Sequence, residues 1–150
     1  MVDSADKQTV RLVLNGAEIN CSSSAPIYVK QAEKAVLSLE AGTNNSVSDT
    51  ANYVLEEGSD EPDATIFSKA DLTINGAGAL TITANYNNGI TSKDDLKVME
   101  GTMKISAVGD AIKGKDMVAI KDGNITINAT EDGIKSTNST DAGKGFVYIE

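Results

Sequence analysis

The 150-residue sequence has no histidine, no tryptophan, one cysteine and one arginine, and its formal net charge is −9. Without histidine the chain has no imidazole metal site, no Ser/His/Asp triad and no histidine general base, which excludes most hydrolase mechanisms. The single Cys21 rules out a disulfide within the chain. Because Arg11 is the only arginine and the chain is acidic, we expect no nucleic acid partner.

Long apolar runs are also lacking. No stretch approaches the roughly 18 apolar residues that a membrane span requires, so we expect no membrane partner. The first ten residues contain no apolar segment of the kind found in export signals. Aromatic residues make up 4% of the chain although hydrophobic residues make up 40%, and the small and β-branched side chains that dominate suit the narrow interior of a β-solenoid.

What the chain does contain is a repeat between Asn88 and Ile134. Ile90, Ile112 and Ile134 follow one another at 22 residues, and the positions between them match in kind. Apolar and polar residues alternate with the two-residue period of strands, and glycine-containing turns separate them. A period in the low twenties predicts a parallel β-helix, whose coils stack about 4.8 Å apart and share a core. The crossover rule predicts right-handed coiling.

The rest of the chain follows the repeat less regularly. The N-terminal coils are predicted to be irregular, and the acidic segment EEGSDEPD at 56–63 is predicted to be an exposed loop. Ile66 to Ile90 spans 24 residues, which indicates an enlarged coil with one extra residue near Gly76 and another near Tyr86. We expect a single all-β domain over 1–150.

Stacking the repeats places acidic and amide side chains in two columns, which we expect on one edge of the solenoid. The first column is Asn88, Asp110 and Asp132, and the second is Asp94, Asp116 and Asn138, with Asp95 beside it. Carboxylates one coil apart repel by about 1 kcal/mol even in water. Calcium takes roughly six to eight oxygen ligands of this kind, so all seven residues are candidate calcium ligands. Alternatively, they cap turns and pair with Lys93 and Lys115.

The sequence assigns no catalytic residue. A β-elimination lyase needs only a base and a metal that acidifies the proton next to a uronate carboxylate, and Lys93 and Lys115 are the candidates for that base. Acidic neighbours favour the charged ammonium, so we expect these lysines to neutralise aspartates instead. Tyr86 in the NYNNG turn is the best exposed candidate to stack on a sugar ring, and with Lys93 and Lys115 it forms the predicted ligand-binding set.

The sequence resembles a bacterial family of carbohydrate-binding domain proteins over nearly its whole length. The resemblance is carried by the strings SSSAPIYVK, IFSKADLTINGAGALTITANYNNGITSKDDLKV, GDAIKGKDMVAIKDGNITINA and EDGIKSTN. It implies a right-handed parallel β-helix similar to pectate-type polysaccharide lyases, in a bacterial protein exported to the cell surface or beyond. It further implies bound calcium and binding of cellulose or acidic, uronate-containing polysaccharide, without established lyase activity.

Members of that family continue with further coils, so we expect this chain to be the N-terminal part of a longer domain, with an open C-terminal end. Our first interpretation is a calcium-stabilised, non-catalytic polysaccharide-binding module. The second is a structural module that self-associates through its coil ends. The third is a calcium-dependent polysaccharide lyase with a lysine base.

Overall fold

The computed structural model describes residues 1–6 and 8–150, which are all β with no helix. These residues therefore contain no helix that is long and apolar enough to cross a membrane. The strands are β1 Val2–Asp3, β2 Thr9–Leu14, β3 Glu18–Asn20, β4 Ile27–Gln31, β5 Lys34–Leu39, β6 Asn44–Ser48, β7 Ala64–Ser68, β8 Asp71–Asn75, β9 Ala79–Ala84, β10 Asn88–Ser92, β11 Asp95–Val98, β12 Thr102–Ala107, β13 Ile112–Gly114, β14 Met117–Ile120, β15 Asn124–Ala129, β16 Ile134–Ser136 and β17 Phe146–Ile149.

The strands form three parallel sheets around one core. Sheet A contains β1, β4, β7, β10, β13 and β16, sheet B contains β2, β5, β8, β11, β14 and β17, and sheet C contains β3, β6, β9, β12 and β15, each in spatial order. Consecutive strands belong to different sheets, and strands three apart in the chain pair with each other. Each group of three is thus one coil of a β-solenoid with about six turns of roughly 24 residues. The predicted parallel β-helix is confirmed.

Residues at equivalent positions of the predicted repeat pair with each other between adjacent strands. Four isoleucines pair in line along sheet A: Ile66, Ile90, Ile112 and Ile134. The offset between paired residues is 24 from β8 to β11, 23 from β9 to β12 and 22 from β10 to β13. One extra residue therefore lies between β8 and β9, near Gly76, and another between β9 and β10, near Tyr86, as the sequence predicted.

Alternation along each strand puts one row of side chains inside. In β9, Leu80, Ile82 and Ala84 are buried while Thr81 and Thr83 face outward. Stacked rows of leucine, isoleucine and valine from all three sheets form the core. Each such side chain contributes about 1.5–3 kcal/mol when fully buried, which is what makes the 22-residue spacing matter for stability.

The N-terminal coils are irregular, as predicted. Ile27 pairs with Ile66, a step of 39 residues, because the segment 49–63 is inserted after β6. The prediction of an exposed loop at 56–63 is right for Glu56 and Glu57 but wrong for Pro62, which is buried against sheet A. Beneath this loop lies a small second core, formed by Ala25, Ala64 and Phe67 with Tyr28 and Tyr53 packed against it.

Candidate functional site

The two predicted columns flank sheet A at opposite ends of its strands. Asn88 is the first residue of β10, whereas Asp94 follows the last residue of that strand. Four strand residues and Lys93 separate them, and an extended strand advances by about 3.3 Å per residue. The expectation that both columns share one edge is therefore wrong. The two columns are near in sequence, but the extended strand of sheet A between them separates them in space.

In the first column the side chains act as a ladder between coils. The Asn88 Oδ1 accepts a hydrogen bond from the Asp110 backbone N–H at 2.9 Å, and the Asp110 Oδ1 accepts one from the Asp132 N–H at 3.0 Å. Both Asn88 and Asp110 are buried. Lys135 pairs with Asp132 at 2.9 Å and lies 3.7 Å from Asp110. These contacts cap turns, as in the predicted alternative, but the lysine partner is Lys135 and not Lys93 or Lys115.

The second column stacks two aspartates on adjacent coils. Asp94 and Asp116 directly precede the paired residues Asp95 and Met117, and the Asp116 N–H donates a hydrogen bond to the Asp94 carbonyl oxygen at 3.3 Å. Asp116 also accepts hydrogen bonds from Asn138 Nδ2 at 2.7 Å and from Lys144 Nζ at 2.6 Å. Asp95 lies beside the pair, where its N–H donates to an Asp71 carboxylate oxygen at 3.2 Å. Four acidic residues thus crowd the corner between sheets A and B.

The two stacked aspartates have pKa values that shift in opposite directions. Partial burial and the neighbouring Asp116 and Asp71 raise the pKa of Asp94. Lys144 and Asn138, by contrast, lower the pKa of Asp116 to about 2. Asp116 is thus compensated by a cation, whereas Asp94 faces other acidic groups.

The described residues contain no group of three His, Cys, Asp or Glu side chains placed to hold a metal ion. By donor chemistry, however, the Asp94–Asp116 pair fits as the centre of a calcium site, because the two stacked aspartates supply the hard carboxylate oxygens that calcium prefers. Asn138 turns its amide nitrogen toward Asp116, so its oxygen faces away. The Asn88 column fits less well, since its oxygens already accept backbone hydrogen bonds.

Lys93 and Lys115 do not pair with the aspartates beside them in the sequence. Lys93 Nζ lies 2.6 Å from a Glu61 carboxylate oxygen, in the loop that crosses sheet A. Lys115 is exposed and has no ion pair among the described residues. An ammonium bound in an ion pair has no lone pair to accept a proton, so Lys93 is poorly placed as a base.

Tyr86 is half-buried rather than a free platform. Its ring stacks on Tyr53 with the centroids 4.0 Å apart and an angle of 8° between the planes. Tyr53 in turn donates a hydrogen bond to the buried Asp49 at 2.6 Å. Asp49 also accepts hydrogen bonds from Thr65 Oγ1 at 2.9 Å and from the Asn85 N–H. One face of Tyr86 is thus covered, and only the other is left for a sugar.

Sequence reasoning missed the acidic loop as a source of partners. Glu61 binds both Lys69 and Lys93, and Asp63 binds Lys113 at 2.9 Å and Asn88 Nδ2 at 3.0 Å. Lys69 precedes Lys93 by 24 residues, which is the spacing of the enlarged coil, so their alignment was available in the sequence. The loop residues had no such signal, because they lie outside the repeat.

These features define a class: a parallel β-solenoid with ladders of polar side chains at its corners and charged rows along its faces. The chain matches the model of the carbohydrate-binding domain-containing protein family over residues 1–150 and belongs to that family. The family resemblance seen in the sequence is confirmed.

Two relatives define the similarity further. The chain is 43% identical over 108 residues to a carbohydrate-binding domain-containing protein of Acetivibrio thermocellus, a match that covers 71% of this chain and 38% of the relative. It is 42% identical to a solved polysaccharide lyase-like protein from C. thermocellum, with a TM-score of 0.93 over 95% of this chain and 58% of that protein. The chain therefore spans less than two thirds of either relative.

Proposed function

We propose that this chain is an exported, non-catalytic polysaccharide-binding module in which calcium neutralises the corner between sheets A and B. Membership of the carbohydrate-binding domain family supports the polysaccharide partner. The calcium proposal depends on one observation, the stacking of Asp94 and Asp116 on adjacent coils beside Asp95 and Asp71. Carboxylates one coil apart repel each other, and a divalent cation between them would relieve that repulsion.

The side chains exposed on the faces of the solenoid favour an acidic polysaccharide over cellulose. The outer face of sheet C borders a groove of about 410 Å³. Its lining side chains are hydroxyls, amides and one ammonium, from residues such as Thr83, Lys104, Ser106 and Asn128. No aromatic residue lines that groove, so a neutral glucan would find no ring to stack on. Sheet A, in contrast, presents several lysines at its edge.

Calcium binding is tested by melting the protein with excess chelator and then with calcium. We expect calcium at one hundred times its dissociation constant to stabilise the fold by about 2.7 kcal/mol. Asp94→Asn should abolish this gain, whereas Asp122→Asn, which changes an exposed aspartate on another corner, should keep it. Equal melting temperatures with chelator and calcium would remove the metal from the proposal.

Polysaccharide binding is tested by co-sedimentation with insoluble cellulose and by titration with polygalacturonate, each with and without chelator. Binding to polygalacturonate that leaves its absorbance unchanged supports a non-catalytic module. A rise in ultraviolet absorbance from unsaturated products, lost in Lys115→Ala, would support the lyase alternative instead. Sedimentation velocity of the same samples tests self-association through the coil ends. Binding to neither polymer would refute the proposed function.

A further inference from the structure

A row of four lysines runs along the corner that follows sheet A. The residues just before them pair in register on successive coils: Val29, Ser68, Ser92 and Gly114. The following residue is a lysine in every case, and we call Lys30, Lys69, Lys93 and Lys115 the lysine row. Backbone hydrogen bonds of 2.8–3.0 Å from the last three of these lysines to the preceding coil hold the row in line. All four side chains are exposed.

Glu61 already occupies the middle of this row. One of its carboxylate oxygens lies 2.9 Å from Lys69 Nζ and the other lies 2.6 Å from Lys93 Nζ. A single carboxylate therefore bridges two successive coils, with one oxygen for each ammonium. A carboxylate at this corner can thus contact ammonium groups of two successive coils, as a bound uronate would need to do.

The two ends of the row are open. Lys30 and Lys115 form no ion pair among the described residues. Next to Lys30, a cavity of about 230 Å³ lies between the acidic loop and sheet A, and Tyr28 and Glu61 are among its lining residues. Tyr28 and Lys69 line the same cavity, so an aromatic ring lies near the ammonium groups.

Contacts other than those of Glu61 also hold the acidic loop. Pro62 is buried next to Glu61, and Asp63 is held by Lys113 at 2.9 Å. The Glu61 side chain is therefore able to leave the row while the backbone of the loop stays where it is. The neighbouring acidic column repels an anionic partner least at Asp116, because the charge of Asp116 is compensated by Lys144 at 2.6 Å.

We propose that the lysine row is the binding surface for a uronate polysaccharide lying along the solenoid axis, and that Glu61 is an internal competitor for the ligand's carboxylates. This inference rests on the proposed function and names the face that performs it. The occupant is a sugar chain with regularly spaced carboxylates, because Glu61 shows how one carboxylate spans two coils. A polymer of higher charge density, such as nucleic acid, is disfavoured by the net charge of −9.

The test is titration with polygalacturonate and with its fully methyl-esterified form, which keeps the sugar and lacks the charge. Lys30→Ala and Lys115→Ala should each weaken binding of polygalacturonate by about two- to fivefold, the range for exposed charge pairs, and the loss should shrink in high salt. Lys121→Ala, which changes an exposed lysine at the corner after β14, is the matched control and should change nothing. Glu61→Gln should tighten binding by about two- to fivefold. Thermal melts of each variant check that it folds.

The possible failures are distinct. If the native chain binds polygalacturonate but Lys30→Ala and Lys115→Ala bind equally well, the lysine row is not the site and the proposed function stands. If Glu61→Gln binds more weakly than the native chain, Glu61 is not a competitor. Equal binding of the esterified polymer would overturn recognition of carboxylates. If the native chain binds no acidic polymer, the proposed function and this inference fall together.

Discussion

Replacement of Asp110 separates the two roles considered for the first acidic column. Asp110 is 3% exposed, and its Oδ1 accepts the Asp132 N–H at 3.0 Å. Asn88 occupies the same position one coil earlier and makes the equivalent bond with its amide oxygen at 2.9 Å. If the column is a hydrogen-bonded ladder, the acceptor oxygen matters and the charge does not. Asp110→Asn should then be tolerated and Asp110→Ala should not.

The magnitudes follow from the contacts. Asp110→Ala leaves a backbone N–H without its partner at a buried corner, which costs about 2 kcal/mol and lowers the melting temperature by about 4–8 °C in a chain of this size. Asp110→Asn keeps that bond. It loses only a long contact to Lys135 at 3.7 Å, so its cost should stay below about 1 kcal/mol. Asp60→Ala, at an exposed aspartate, should stay within about 0.5 kcal/mol of the native chain.

The assay is thermal unfolding followed by circular dichroism, once with chelator and once with calcium. With chelator we expect the order native, Asn variant, Ala variant, with the first two close together. If Asp110→Asn is as damaging as Asp110→Ala under chelator, the charge matters and the ladder explanation fails. If the Asn variant is normal with chelator but loses stabilisation by calcium, the first column binds the metal, contrary to our assignment to Asp94 and Asp116.

Three further predictions concern stability. Partial burial raises the pKa of Glu61, but hydrogen bonds from Lys93 and Lys69 outweigh this effect and lower the pKa below 4.5. Glu61→Gln should therefore reduce the free energy of unfolding by about 1 kcal/mol above that pH. In thermal melts at falling pH, the difference in stability between the native chain and the variant should disappear as native Glu61 becomes protonated. Phe67→Ala should cost about 3–5 kcal/mol in denaturant unfolding, because that ring is fully buried beneath the acidic loop, and an unchanged midpoint would contradict this packing. Gly76→Ala should cost more than about 1 kcal/mol in thermal melts, since φ is 98° and a Cβ would collide with a backbone carbonyl of the previous coil; a neutral result would refute the close approach.

The repeat made the coil geometry predictable because one physical requirement governs it. An inward apolar side chain must lie above another on the next coil, so Ile90 must fall on Ile112. The same requirement fixes the outward positions between them, which is why the polar columns were also found. The period does not specify at which corner of the solenoid a column lies. Asn88 and Asp94 are six positions apart, and only the extent of β10 puts them at opposite ends of sheet A.

Contacts between different columns could not be predicted from the sequence, for a different reason. Lys93 and Asp94 are neighbours in the chain, yet successive residues at a strand end point in different directions, and Lys93 pairs with Glu61 instead. Glu61 belongs to an insertion with no counterpart in the other coils, so no periodic argument places it. A solenoid repeats its core in every coil, whereas an insertion makes one stretch of surface unlike the rest. In this chain one carboxylate of the insertion forms ion pairs with two lysines of a four-lysine row and leaves the other two without an ion pair among the described residues, and that difference is what makes the row testable as a binding surface.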